Sequence, residues 1–303
     1  MQAEQNLFES LKNSYRYGGM TIRLIIINAS IFLLIQILSV VIRLMMADNS
    51  MLTVFLDAVF TLNTDLKYFI FMPWGLITSI FAHFTLWHIL LNMLFLFFSG
   101  RMFEQIFDSK RLLYTYLIGG MAGGVLEIIA HLIFPALQNS HIVIVGASGS
   151  IMAIFIALAF YKPNLKVMLF GIFPIRLIFL ALFFLLSDLI SLGMNDGVAH
   201  FAHLGGALFG ALSIRNNTNK NNILNLTQRW GDSLIKSINS IFKGSSRQPK
   251  RSNSRFKTDE EYNIEKKSKQ EKIDQILDKI SKSGYESLSR QEKDFLFNQS
   301  KND

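Results

Sequence analysis

Cysteine is absent from the 303-residue chain. That excludes disulfides, thiolate metal sites and a thiol nucleophile. Charge is scarce too: Asp, Glu, Lys and Arg make up 17% of residues against 50% hydrophobic ones, and the mean hydropathy is +0.32. This is too apolar for an ordinary soluble protein of the same length, so the chain is expected in a lipid bilayer. No basic stripe interleaved with aromatics accompanies the net charge of +8. The surplus positive charge lies in a polar tail and in short connections, as loops beside anionic lipid require, and nucleic acid is not an expected partner. There is no His-Glu-x-x-His, so a membrane metalloprotease is unsupported. Glu127 and Asp188 stand alone in apolar runs. Each reads as a buried hydrogen-bonding partner, and they do not form the acid pair of an aspartyl protease. The inverted repeats and charged path of a transporter are also missing.

What is present is organised by apolar runs. They cover about Ile22 to Leu44, Trp87 to Phe103, Leu112 to Phe134 (ended by Pro135), a short helix from Ser148 to about Tyr161, Ile175 to Leu192, and Val198 to Ile214. The expected fold is an all-α membrane protein, a bundle of about six transmembrane helices with a soluble C-terminal tail. Its parts are an N-terminal cytoplasmic segment 1–21, the membrane domain 22–214, a flexible polar linker 215–270 and a small helical tail 271–303. In the tail, Ile273, Ile276, Leu277 and Ile280 recur at helical spacing, and Ser289 to Glu292 has capping-box spacing ahead of Phe295, Leu296 and Phe297. The connection carrying Pro73 and Trp74 is expected to lie in the membrane interface. No small-residue cleavage site follows the first run, which reads as a retained span. Lys and Arg fall before the first span, at Arg101, Lys110, Arg111, Lys162, Lys166 and Arg215, which share one side if both termini are cytoplasmic.

Strongly polar groups inside spans are few and call for a role. His88 and Asn92 lie four apart on one helix face, Ser148 opens a helix after the turn at Gly146, and His203 lies early in the last span. A serine hydroxyl needs a base within hydrogen-bond reach, and His203 is the best candidate. Gly206 and Gly210 follow His203 on its helix face, while Gly149, Ala153 and Ala157 recur every four residues after Ser148. Two small-residue faces of this kind let helices approach closely and set Ser148 beside His203. The negative charge that develops on a carbonyl oxygen under attack needs donors, which His88, the Asn92 amide and the Ser148 N–H supply. His200, three residues before His203, raises a metal pair without an evident third ligand. It reads as solvent-exposed, so no metal and no cofactor are expected. His83 reads either as a structural hydrogen-bonding group or as a substrate contact, and His131 and His141 as residues near an interface.

Three segments, His83-Phe84-Thr85-Leu86-Trp87-His88-Ile89-Leu90-Leu91-Asn92, Gly146-Ala147-Ser148-Gly149 and Ala202-His203-Leu204-Gly205-Gly206, make the chain resemble the rhomboid intramembrane serine proteases. The resemblance implies a Ser148–His203 dyad, an oxyanion hole of His88, Asn92 and the Ser148 amide, and support from His83, Gly146 and Gly149. It also implies transmembrane proteins as substrates, cleaved in a water-accessible cavity open to the non-cytoplasmic side. Gly100 and Glu104 resemble the family's Gly-x3-Glu-x3-Gly segment, but Asp108 stands where its last glycine would be, and the family's Trp-Arg pair is Trp74-Gly75. The expected function is serine endopeptidase. A catalytically silent relative that binds membrane proteins for quality control is the alternative. A bacterial cell membrane is the expected location. Oligomeric state, cleavage motif and natural substrate are not legible.

Overall fold

The computed structural model describes residues 7–45, 50–138, 143–169, 172–194, 196–215, 222–223, 225, 228–229, 232–233, 259–284, 287–289 and 291–293. His141, Ile142 and Phe295 to Phe297 lie outside the described residues. Met1–Ser240 and Ile241–Asp303 form two compact units.

In the first unit, helices α1 (Leu7–Tyr17), α2 (Gly19–Met45) and α3 (Ser50–Phe60) lead to the short strand β1 (Leu62–Asn63) and the small helices α4 (Leu66–Phe71) and α5 (Gly75–Thr78). A 3-10 turn at Ser79–Phe81 precedes α6 (Leu86–Ile106), α7 (Ser109–Ile133), α8 (Pro135–Gln138), β2 (Val143–Ile144) and α9 (Ser148–Tyr161). The hairpin β3 (Lys166–Leu169) and β4 (Phe173–Arg176) then leads to α10 (Leu177–Ile190) and α11 (His200–Ile214). Pro135 ends α7 as expected and starts the single turn α8, where a proline ring is tolerated.

Three helices, α2, α6 and α7, are long and apolar enough to cross a membrane, and α9, α10 and α11 are shorter apolar helices. At 1.5 Å per residue the 14 residues of α9 span roughly 21 Å, less than a hydrocarbon core of about 30 Å. The span expected at 175–192 is trimmed at both ends, and the one expected at 198–214 only at its start. Arg176 still belongs to β4, and Gly193 (φ +79°) and Gly197 (φ +78°) turn the chain between α10 and α11 in a conformation disfavoured for residues with a Cβ. Large apolar side chains such as Leu33, Ile37, Phe98 and Phe183 face outward, while Asn28, Thr115 and Glu127 are buried. Apolar outside with selected polar groups inside is the pattern of a bundle whose solvent is lipid.

Helix α9 is the centre of this unit: every residue from Gly149 to Ala159 is buried. It packs against α6, α7, α10 and α11, and a helix apolar all round needs such a surround. Tyr116 of α7 pins the 3-10 turn before α6 to the bundle, donating to the Ile80 carbonyl at 2.9 Å and pairing with Asn28 of α2. The two departures from the family pattern have structural accounts. Asp108 caps α7 by accepting from the Arg111 N–H at 2.7 Å. Trp74 donates through its indole to the Ala58 carbonyl at 2.8 Å, and a Cβ on Gly75 would lie 2.4 Å from the Thr61 oxygen, so the connection is anchored without an arginine. Glu104 serves as the cap of another helix, accepting from the N–H groups of Met20 and Thr21 at the start of α2.

The segment read as a flexible linker departs from that reading at both ends. Asp232 is paired with Lys110 at 2.5 Å, and Arg111 donates to Asn225, so the chain after α11 returns to the start of α7. In the second unit, helix α12 (Asp259–Ser283) begins inside the same segment. Beyond α12, the Ser289 N–H donates to Glu292 and the Glu292 N–H to Ser289, a reciprocal capping box. The Lys279 ammonium, bonded to Glu292, holds that carboxyl at about 2.

Candidate active site

The N-termini of α6, α9 and α11 and the C-termini of α7 and α10 meet at one end of the bundle. There, Gly146 holds φ +115°, and a Cβ on it would lie 2.6 Å from His88 Nε2. A glycine is therefore required twice at this position, for the backbone and for the imidazole lying against it. The turn places Ser148 as the first residue of α9, with its N–H among the donors that have no intrahelical acceptor. His83 is fully buried, accepts from the Ala147 N–H at 3.4 Å and meets the His88 ring edge-on at 4.9 Å. Thr85 caps α6 through the His88 N–H.

Small residues bring α9 and α11 together. A Cβ on Gly206 would lie 2.0 Å from the Gly149 oxygen, and one on Gly210 would lie 2.2 Å from that of Ala153. Helix α7 adds a third small face that sequence reasoning passed over. Gly119 lies against Ala153, and Gly123 against the Ala202 carbonyl. Gly206→Ala must push apart two backbones where no flexible side chain can yield. It is expected to cost about 1–3 kcal/mol, read as a lower thermal melting midpoint in detergent. An unchanged midpoint would show that α9 and α11 are not held this tightly.

Between α6, α9, α10 and α11 lies a cavity of about 230 Å³. Ser148, His203, Asn92, Ser187 and Asp188 supply its polar wall, and residues such as Phe155 and Phe184 its apolar one. Asn92 donates one amide N–H to the His88 carbonyl at 2.9 Å, leaving the second available. His88 is not part of the cavity lining. Among the described residues no hydrogen bond joins Ser148 to His203. Such contacts are often long in unliganded enzymes and tighten with substrate.

His203 is held from behind instead. Its Nδ1 lies 2.8 Å from Asp188 Oδ1, and the same oxygen is 2.8 Å from His200 Nδ1. An ionised carboxylate oxygen only accepts. An ionised Asp188 thus takes an N–H from His203 Nδ1, and in the neutral ring that tautomer leaves the lone pair on Nε2. His200 is only one-tenth exposed in its side chain, and its Nε2 reaches Asp196 Oδ2 at 3.1 Å. The expectation of a solvent-exposed His200 is overturned by the fold. So is the missing third ligand, because Asp188, Nδ1 of His200 and Nδ1 of His203 converge. Asp188 lies twelve residues before His200 on another helix, so spacing within α11 gave no sign of it.

Glu127 fixes the other side of α11, accepting from the Ala202 N–H at 2.9 Å. His131, expected near an interface, is buried with its Nδ1 3.4 Å from Glu127 Oε1.

Residues 71–215 match the family described as Rhomboid domain, and residues 257–302 match a family of unknown function. The chain is similar to "RHOMBOID-like protein 12, mitochondrial" of Arabidopsis thaliana, at 31% identity over 46% of this chain and 44% of that one. It is similar to "RHOMBOID-like protein 2" of the same plant, at 34% identity over 45% of this chain and 40% of the relative. "Presenilin-associated rhomboid-like protein A, mitochondrial" of Danio rerio is 29% identical over 45% of this chain and 35% of its own length. The chain thus spans less than half the length of these relatives. They are eukaryotic, two of the three are described as mitochondrial, and they lend the expected bacterial membrane no support. The family match covers α5 to α11, all the elements that meet around the cavity, and on that footing residues 71–215 are a rhomboid-family domain within a multi-pass membrane protein.

Proposed function

We propose that the chain is an intramembrane serine endopeptidase that cleaves transmembrane-anchored proteins in the cavity between α6, α9, α10 and α11. One observation carries the reading: Ser148 and His203 share that cavity, with Nδ1 of His203 tied to Asp188 so that Nε2 is left basic. His203 Nε2 takes the Ser148 proton as Oγ attacks a peptide carbonyl, then returns it to the leaving amine. Asp188 orients the imidazole and offsets the positive charge it gains. The Ser148 N–H and the free amide N–H of Asn92 face the growing negative charge on oxygen. His88, one turn before Asn92, lies against Gly146 and supports the turn that presents Ser148. Water entering the same cavity hydrolyses the acyl-enzyme, with His203 again as base. No cofactor takes part.

The six apolar helices α2, α6, α7, α9, α10 and α11 form the membrane bundle in this reading. The ends that carry Arg101, Lys110, Arg111, Lys162 and Arg215 face the cytoplasm, and the cavity opens on the other side. Short α9 then places Ser148 below the headgroups, where only an unwound substrate segment can present a carbonyl. A substrate rich in helix-breaking or small residues is expected.

The test uses purified protein in detergent with a fluorophosphonate probe. Labelling that is lost in both Ser148→Ala and His203→Ala is expected. A folded chain that takes no label and cleaves no transmembrane substrate is instead a catalytically silent binder of membrane proteins.

A further inference from the structure

We propose that Asp188, His200 and His203 form a binding site for a divalent transition ion of the zinc class, and that an ion bound there switches the Ser148–His203 pair off. Occupancy rests on side-chain geometry alone. The switch rests on the protease reading given above.

The three donor atoms come from two helices and all lie within 4.8 Å of one another. Asp188 Oδ1 is 2.8 Å from the Nδ1 of each histidine. Tetrahedral bonds of about 2.0–2.2 Å place ligand atoms roughly 3.4 Å apart, so small side-chain rotations open the cluster around an ion. Two imidazoles and one carboxylate suit zinc, cobalt or iron(II), whereas calcium and magnesium favour oxygen donors throughout. Three protein ligands leave one position for water. Asp196 completes the arrangement from outside. Its Oδ2 is 3.1 Å from His200 Nε2, the position from which a carboxylate orients a metal-binding imidazole and fixes which nitrogen faces the ion. The side chains of His200, Asp188 and His203 are 10%, 10% and 18% exposed, so the site is sheltered yet reachable.

The chemical consequence follows from the single lone pair that a neutral imidazole offers when its other nitrogen is protonated. Without metal, His203 carries its proton on Nδ1 and presents a basic Nε2. With the ion on Nδ1, that proton resides on Nε2, and the lone pair needed by the Ser148 hydroxyl is gone. His200, which faces carboxylates through both ring nitrogens, gives its Nδ1 proton to water and keeps Nε2–H on Asp196.

The experiment uses the full chain in detergent, stripped with a chelator and titrated with Co2+. The visible bands of four-coordinate cobalt are expected in the wild type and in Ser148→Ala, bleached by Zn2+. His200→Gln should lose them. Asp196→Asn, an exposed change that leaves every ligand in place, should bind about 10-fold to 100-fold more weakly. Fluorophosphonate labelling, normalised for each variant to its own metal-free level, should fall with Zn2+ at the concentration set by the cobalt titration, and Asp196→Asn should need more. No cobalt bands in the wild type, or bands unaltered in His200→Gln, overturn the site. Bands with labelling insensitive to Zn2+ overturn the switch. A chain that is never labelled, even without metal, removes the protease reading while the spectra still decide occupancy.

Discussion

Ser148→Ala and His203→Ala are each expected to lower the cleavage rate of a transmembrane substrate by about 10⁴-fold or more, with both variants folded. The two residues act as one unit, because without its base the hydroxyl is a weak nucleophile and without the hydroxyl the base has nothing to activate. The double variant should therefore be little worse than either single one. Neither side chain supports the packing: both are partly exposed and line the cavity, whereas the helices are joined through Gly149, Ala153, Gly206 and Gly210. Melting midpoints close to wild type should accompany the loss. Turnover surviving in Ser148→Ala would move the nucleophile elsewhere, and equal loss of fold and activity would make the result uninformative about chemistry, which is why both are measured.

Asp188→Asn is the second large effect. The amide preserves shape and keeps an oxygen near His203 Nδ1, but removes the charge that offsets the imidazolium formed during attack. By analogy with the aspartate of a catalytic triad, kcat is expected to fall by about 10² to 10⁴-fold with KM little changed. A purely structural role would move the melting midpoint and leave that division between kcat and KM unseen. Turnover within a few-fold of wild type would return the site to a dyad in which His203 works unaided. Chelator is kept in the assay, so that metal on the same three residues cannot mask the comparison.

The chain shows how far local pattern reaches. The apolar runs of α2, α6 and α7 are visible because each is a continuous stretch long enough to meet hydrocarbon on its own account. The four-residue recurrence after Ser148 and after His203 is visible for the same reason: one helix face repeats within one segment. Asp188 was legible as a buried partner but not as the partner of His203, because the contact joins the end of α10 to the start of α11 across a turn whose path no periodicity encodes. His200 was misread for the same reason. The third small face, at Gly119 and Gly123, was in plain view but had no meaning until α7 was placed against α9 and α11.

Sequence alone determined the membrane class and the long apolar helices, since both follow from hydrophobicity and spacing within a stretch, and it offered the side-chain types from which the proposed site is built. Tertiary structure decided which polar groups meet. A carboxylate, two imidazoles and a helix terminus acquire a joint function only when distances of about 3 Å join them, and that hydrogen-bonding reach is far shorter than any regularity readable along the chain.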